Sequence, residues 1–226
     1  MQLVVLAGGF GTRLRGAISD KLPKPMAPIA GRPFLAHLLD RAIAQGVSDI
    51  HLLVGHKADV ITGHFGANYR RTPVTYSVEY EPLGTGGALK AAERYLADSF
   101  VFANGDTFAD VDYRALLELV TSSLLGMTLA STKDAARYGS VVILDDTVVG
   151  FREKGSEGTG MINAGAYACR RDLLDLLPDE RTFSFEVDFL QPQLPVLRPR
   201  FQVVESGIID IGTPESYAYA NAIFGQ

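Results

Sequence analysis

Apolar residues recur along the chain with two periods, and the switches between them mark out its elements. Val4, Val5 and Leu6 form an uninterrupted apolar run that predicts a buried first strand. From Pro33 to Gln45, the residues Phe34, Leu35, Leu38, Leu39, Ala42 and Ile43 follow the helical repeat, and Gly46 stands where a C-cap is needed. Asp49 to Val54 reads as a buried strand and His56 to Phe65 as a short helix. Val74, Tyr76 and Val78 then alternate with Thr75, Ser77 and Glu79 as a strand. A helix is predicted from about Ala88 to Leu96, a strand over Phe100 to Ala103, a helix over about Tyr113 to Ser122 and a strand over Met127 to Ser131. Strands alternating with helices at such short intervals predict a mostly parallel sheet with helices on both faces.

The texture changes from about residue 137. Val141 to Leu144 and Val148 to Arg152 read as short strands joined by an Asp145-Asp146 turn, and Ile162 to Cys169 as another, so antiparallel pieces are expected here. Phe201 to Glu205 returns to a strand. Thr213 to Phe224 is a closing helix with Pro214 in its first turn. No internal repeat, low-complexity stretch or linker interrupts the chain, and the two parts are expected to share one sheet.

The chemistry gathers where strands end. After the first strand, Ala7-Gly8-Gly9-Phe10-Gly11-Thr12-Arg13 puts three glycines, a hydroxyl and a cation in one turn. Glycines let the backbone approach a ligand closely, successive N–H groups make an anion-binding concavity, and Arg13 adds a fixed positive charge. Lys24, restricted by Pro23 and Pro25, supplies a second cation. Three glycines in so short a span also make an ordinary tight turn. The stretch is neither a Walker loop nor a Gly-x-Gly-x-x-Gly fingerprint. Pro82-Leu83-Gly84-Thr85-Gly86-Gly87 and Asn104-Gly105-Asp106 follow later strands. In a parallel sheet these loops are expected to meet in one crevice beyond the carboxyl ends of the strands.

Asp106 ends an apolar strand, and Asp210 is set among aliphatics in Ile208-Ile209-Asp210-Ile211-Gly212. Each alone is readable as a turn residue or a helix cap. Two together suit Mg²⁺, which takes one or two carboxylates with waters and substrate phosphates. Glu79 and Glu81, on the same strand face by period-two counting, are carboxylates with acceptor oxygens only, which suit a ligand that offers two adjacent donors.

Composition narrows the field further. A chain of 226 residues with 47% hydrophobic residues carries a sizeable core, and a net charge of -5 argues against non-specific nucleic-acid binding. One cysteine, Cys169 in an apolar run, excludes an internal disulfide. The four histidines show no metal-ligand spacing, and no Ser/His/Asp nucleophile arrangement is visible. No signal-type or membrane-spanning segment is read, so a cytoplasmic protein without nucleic-acid or membrane partners is expected.

Leu6 to Leu14 followed by Pro23-Lys24-Pro25 resembles the signature of the sugar-phosphate nucleotidyltransferases, the NDP-sugar pyrophosphorylases, at every specified position. That resemblance covers nearly the whole chain. It implies an α/β Rossmann-like three-layer sandwich with a mostly parallel mixed sheet, the nucleotidyltransferase fold of the glycosyltransferase-A type. A single domain over 1–226 is expected, with a nucleotide-binding part to about 136, a sugar-binding part over about 137–200 and a closing strand and helix. The implied site residues are Arg13 and Lys24 for catalysis and Asp106 and Asp210 for Mg²⁺. Leu6, Ala7, Gly8, Gly9, Gly11, Thr12, Glu79, Gly84, Thr85, Asn104 and Gly105 would bind the nucleotide. Gly139, Glu153, Lys154, Asn163 and Gly165, from Tyr138-Gly139, Glu153-Lys154 and Asn163-Ala164-Gly165, would hold the sugar phosphate.

The run Ser77 to Ala88 and Phe183-Ser184-Phe185-Glu186 resemble the branch that guanylylates D-glycero-alpha-D-manno-heptose 1-phosphate. This implies GTP and a sugar 1-phosphate as substrates, and GDP-sugar and pyrophosphate as products, for capsule or surface polysaccharide synthesis. Mannose 1-phosphate guanylyltransferases and uridylyl or thymidylyl relatives are the alternatives within the family. No C-terminal left-handed β-helix is read, so acetyl transfer is not implied. A retaining glycosyltransferase using Asp110-Val111-Asp112 leaves the Arg13 and Lys24 loop unexplained, and a sensor without turnover would be expected to lack one of the charged residues that are present. The sugar and the oligomeric state, a homodimer included, are left open by the sequence.

Overall fold

A computed structural model describes residues 1–9, 18–19, 21–132, 140–152, 159–205 and 208–225. In chain order the elements open with β1 (Gln2–Leu6), β2 (Pro28–Ile29), β3 (Arg32–Pro33), α1 (Phe34–Ala44), β4 (Asp49–Val54), α2 (Ala58–Phe65), β5 (Asn68–Tyr69) and β6 (Thr72–Val78). There follow α3 (Gly84–Ala91), β7 (Ser99–Asn104), β8 (Thr107–Ala109), α4 (Tyr113–Glu118), β9 (Leu125–Thr132), β10 (Val141–Leu144), β11 (Thr147–Phe151) and β12 (Gly160–Arg170). A π-helical turn (Phe185–Leu190), α5 (Gln191–Leu197), β13 (Arg200–Val204), β14 (Ile208–Asp210) and α6 (Pro214–Phe224) complete the chain. The fold is the mixed, mostly parallel sheet flanked by helices that the alternation of periods predicts.

The backbone divides into two compact units. The first comprises Met1–Pro82, Ala103–Phe108 and Ile209–Gln226; the second comprises Leu83–Phe102 and Ala109–Ile208.

In the first unit the strand order is β7, β1, β4, β6, β5, with β7 contributing its last two residues. β1 runs parallel to β4 from Gln2 opposite Asp49 to Leu6 opposite Leu53, and β4 parallel to β6 from Ile50 opposite Val74 to Val54 opposite Val78. Leu3, Val4, Val5, Ile50, Leu52 and Val54 are fully buried, as strands covered on both faces require. In β6 the alternation holds at Thr72 and Val74 but fades towards Val78, which is 42% exposed where the strand runs out to Glu79. α1 packs Phe34, Leu35, Leu38, Leu39 and Ala42 inward, and Gly46, at φ 91°, ends it in the left-handed conformation that glycine adopts without strain.

The closing helix α6 forms as predicted. Thr213 caps it, its hydroxyl accepting from the Ser216 N–H while the Ser216 side chain accepts from the Thr213 N–H. Ala220 of α6 joins Ala27, Ile29, Phe34 and Ile211 in one buried cluster, with Tyr217 and Phe224 packed against it.

In the second unit β9 pairs antiparallel with β12 and parallel with β13, while β11 pairs antiparallel with both β10 and β13. The antiparallel pieces expected beyond residue 137 are these, and Asp145 turns between β10 and β11 at φ 54°. Cys169 is fully buried, and burial pushes its thiol far above the ordinary range, so it stays an inert hydrophobe.

Two helical readings need correction, and one helical segment was not read from the sequence. α3 begins at Gly84, inside the expected loop, and ends at Ala91 rather than Leu96, with a 3-10 turn at Glu93–Tyr95 following. Glycine reads as a helix breaker, yet here it is required: a Cβ on Gly84 or Gly87 would run into the carbonyl oxygens of Phe183 and Arg181, and one on Gly86 into the Phe183 ring. α4 stops at Glu118, because the Leu119 and Val120 N–H groups turn to the carbonyls three residues back. The segment 185–197 carries helix despite Pro192 and Pro195, continuing directly from the π-helical turn and ending at Arg198, φ 40°.

One buried polar residue in β4 gives the fold a pH dependence. His51 is fully buried, its Nδ1 2.7 Å from Thr75 Oγ1 and its Nε2 2.9 Å from Ser77 Oγ on β6. Burial lowers its pKa below the ordinary 6.5, against a smaller opposing pull from Asp49. A lowered folded-state value means the unfolded chain takes up the proton more readily. The contribution is therefore fully present above 6.5 and is lost as pH falls below it. The urea midpoint is expected to drop between about pH 7.5 and about pH 5.5 more steeply in the native protein than in His51→Gln.

Candidate active site

The first unit gathers the described residues that were expected to face phosphate and metal. β1 delivers Leu6 at its end and Ala7, Gly8 and Gly9 just beyond it. The Ala7 N–H already donates to the Leu53 carbonyl at 2.8 Å, and the Gly105 N–H to the Leu6 carbonyl at 2.9 Å. Leu6, Ala7 and Gly105 are thereby tied into the sheet. A Cβ on Gly105 would strike the Leu6 carbonyl oxygen, so this glycine lets β7 and β1 close up at their ends. Gly9 is exposed, with no described atom within 4 Å of where its Cβ would stand, so packing among the described residues does not account for it. Asn104 sits half-buried at the end of β7, directly before Gly105 and Asp106.

Lys24 lies in a 3-10 turn over Lys24–Met26 with its side chain only 10% exposed. Its ammonium donates to Asp106 Oδ2 at 2.5 Å and stands 3.7 Å from Asp210 Oδ1. The two aspartates meet because β8 and β14 pair in a small second sheet, and the Ile211 N–H donates to the Asp106 carbonyl at 3.2 Å. A buried ammonium needs such partners, and two carboxylates of different origin supply them. Gly212 keeps the flank of Asp210 clear: a Cβ there would stand 2.8 Å from Oδ1 and 3.0 Å from Oδ2.

Glu79 separates from Glu81 at this level. Its half-buried carboxylate lies over two glycines, with Oε1 2.7 Å from where a Gly8 Cβ would be and 2.5 Å from where a Gly55 Cβ would be. Glu81 is exposed. Gly55, directly after β4, borders that carboxylate and was not singled out from the sequence; its signal was a glycine at a strand's carboxyl end.

The second unit holds another constellation. The Thr85 hydroxyl accepts from the Phe185 N–H at 2.8 Å, and the Gly86 N–H donates to the Phe183 carbonyl at 3.0 Å, tying α3 to the segment that begins the π-helical turn. On β12 the register shifts between Asn163 and Tyr167, and Gly165 adopts φ 70° at that irregularity. The Gly165 N–H donates to Asn163 Oδ1 at 3.1 Å, while Asn163 Nδ2 donates to Tyr167 Oη at 2.5 Å and to Glu186 Oε1 at 3.2 Å. Tyr167 donates to the same Glu186 oxygen at 2.6 Å. Burial, and then the adjacent Glu186 charge, raise the Tyr167 pKa well above its ordinary value, so it remains a donor. Glu186 belongs to a π-helical turn, a local form that recurs at functional sites. It was legible only as part of Phe183-Ser184-Phe185-Glu186, without a role.

Gly11, Thr12, Arg13, Gly139, Glu153 and Lys154 lie outside the described residues. Among the described residues no group of three or more His, Cys, Asp or Glu could hold a metal ion, and no helix is long and apolar enough to cross a membrane.

Residues 2–226 match the nucleotidyl transferase family. The chain belongs to that family. It is 39% identical to the D-glycero-alpha-D-manno-heptose 1-phosphate guanylyltransferase of Aneurinibacillus thermoaerophilus, over 97% of this chain and 96% of that one. Its identity to the Campylobacter jejuni enzyme of the same name is 38%, over 96% and 97% of the two chains. The crystal structure of HddC from Yersinia pseudotuberculosis complexed with GMP-PN superposes with a TM-score of 0.84 at 40% identity, covering 99% of each chain.

The nucleotidyl transferase's second constellation yields a stability test. Removing the buried hydroxyl in Tyr167→Phe leaves Glu186 Oε1 with Asn163 alone, and an incompletely paired buried polar group costs about 1 to 3 kcal/mol. Urea unfolding is expected to show a loss of that size, with the slope of the transition unchanged.

Proposed function

We propose that the protein transfers GMP from GTP to a sugar 1-phosphate, D-glycero-alpha-D-manno-heptose 1-phosphate by preference, releasing pyrophosphate and a GDP-sugar. The observation that carries the nucleotide choice is the Glu79 carboxylate laid over the Gly8 and Gly55 backbone. Acceptor oxygens there match the paired N1–H and 2-amino donors of guanine, which neither uracil nor adenine presents. We assign nucleotide and metal binding to the first unit and sugar recognition to the second, where the buried Tyr167 hydroxyl positions the half-buried Asn163 and Glu186 to meet hydroxyls.

The sugar phosphate is largely ionised at neutral pH, so its oxygen attacks the α-phosphorus without a side-chain base. Catalysis is then positioning and charge stabilisation. Lys24 is the described cation for the α-phosphate. Arg13 and Lys154 take the leaving pyrophosphate and the incoming phosphate on the strength of their motifs. Asp106 and Asp210 fit a magnesium ion: both are hard oxygen donors, and their convergence on one buried ammonium marks a place where positive charge is held. Bound there, Mg²⁺ would supply Lewis-acid charge to the phosphates. The product is an activated glycosyl donor, as capsule or surface polysaccharide synthesis requires.

Pyrophosphate release from the four nucleoside triphosphates against mannose, heptose and glucose 1-phosphates tests the reading. GTP with the heptose phosphate is expected to be used best, and a flat response to the base would end the guanine assignment. In Glu79→Gln an amide donor faces a guanine donor, and the preference for GTP over UTP in kcat/KM is expected to fall roughly tenfold to a hundredfold. Asp106→Asn and Asp210→Asn are each expected to remove most turnover at saturating Mg²⁺ while circular dichroism stays native.

A further inference from the structure

Lys24 occupies an uncommon position for a substrate-binding cation. Its stem is buried, and its ammonium stands against Asp106 Oδ2 at 2.5 Å with Asp210 Oδ1 at 3.7 Å. The residue suited to meet a phosphate is thus also the counter-ion of the two carboxylates suited to meet a metal. A lysine ammonium and a divalent cation ask for the same oxygens, since both are compact, strongly hydrated charges. Held side by side on Asp106 Oδ2 the two positive charges would repel, so they compete for that oxygen.

We propose that Lys24 is a resident counter-ion which a divalent metal must displace, so that metal binds weakly alone and tightly once a triphosphate gives the ammonium another anion. The four-carbon stem lets the charge swing while its root stays in the turn over Lys24–Met26. The ammonium leaves the carboxylates as the metal arrives, so the two carboxylates face a divalent ion in place of a single positive charge and the ammonium faces the triphosphate. Metal and nucleotide then tighten each other by the same factor, as linkage demands. The proposal rests on the assignment of Asp106 and Asp210 as the metal's carboxylates.

The test uses the full chain and Mn²⁺ as a probe, with free Mn²⁺ counted by electron paramagnetic resonance, so it needs no turnover. Without nucleotide, Lys24→Gln is expected to bind Mn²⁺ about tenfold tighter than the native protein. A non-hydrolysable GTP analogue is expected to tighten Mn²⁺ binding about tenfold in the native protein, after subtraction of Mn²⁺ held by free analogue, and clearly less in Lys24→Gln. Lys24→Met serves if the Gln variant fails to fold. In EDTA the variant is expected to melt below the native protein, with Mn²⁺ closing the gap. Mn²⁺ affinities within about twofold between native and variant, without nucleotide, would overturn the competition. Asp106→Asn separates the two ideas: Mn²⁺ binding unimpaired by that change would sink the metal assignment itself, whatever Lys24 does.

Discussion

The buried ion pair of Lys24 with Asp106 and Asp210 is the constraint on which the first unit depends. An ammonium with a side chain 10% exposed is tolerable only with carboxylates at hand, and those come from the middle and from near the end of the sequence. Two further contacts fix the lysine's root. Tyr217 of α6 donates its hydroxyl to the Pro28 carbonyl at 2.7 Å, and the Ala30 N–H donates to Asn221 Oδ1 at 3.0 Å. The hairpin of β2 and β3, just after Lys24, is therefore held by the closing helix. Asp210, four residues before α6 begins, is fixed by the same arrangement. A site begun near residue 24 is complete only when the last helix docks.

Glycines that look alike in sequence do three different things. Gly105 lets two strand ends close on each other; Gly84 and Gly87 let a helix begin directly against the backbone of Phe183 and Arg181, and Gly86 makes room for the Phe183 ring. Gly8 and Gly55 make room for a carboxylate. Only the last use sets a polar side chain, that of Glu79, against the glycine backbone. In the second glycine-rich stretch, which reads as a ligand loop, the glycines pack against 181–183 and Thr85 anchors the segment that carries Glu186.

The legibility of each part follows from the range of the interactions that form it. The strands β1, β4 and β7 and the helices α1 and α6 declare themselves through periodicity and caps, all within about ten residues of one another. β8 and β14 do not: three residues each, they exist because they pair across about a hundred positions. α5 is hidden by its prolines and sustained by the turn before it. The carboxylates of the first unit were legible because strand ends single them out. Glu186 was not, because its partners Asn163 and Tyr167 are set by a bulge in β12 that no local pattern announces.

The two units also differ in the kind of force they offer a ligand. In the first, the described groups are charges, Lys24, Asp106, Asp210 and Glu79, whose strength depends on burial and on each other's placement. In the second, Asn163 and Tyr167 direct neutral donors to one oxygen of Glu186, and the other carboxylate oxygen has no partner among the described residues. Charge placement governs how far a developing phosphate charge is stabilised, whereas oriented hydrogen bonds discriminate among hydroxyl patterns of similar size. On the assignment proposed above, such a chain would change its sugar by altering the bulge and the π-helical turn without disturbing the ion pair of Lys24. Relatives sharing the family's fold can then differ in substrate while keeping one reaction.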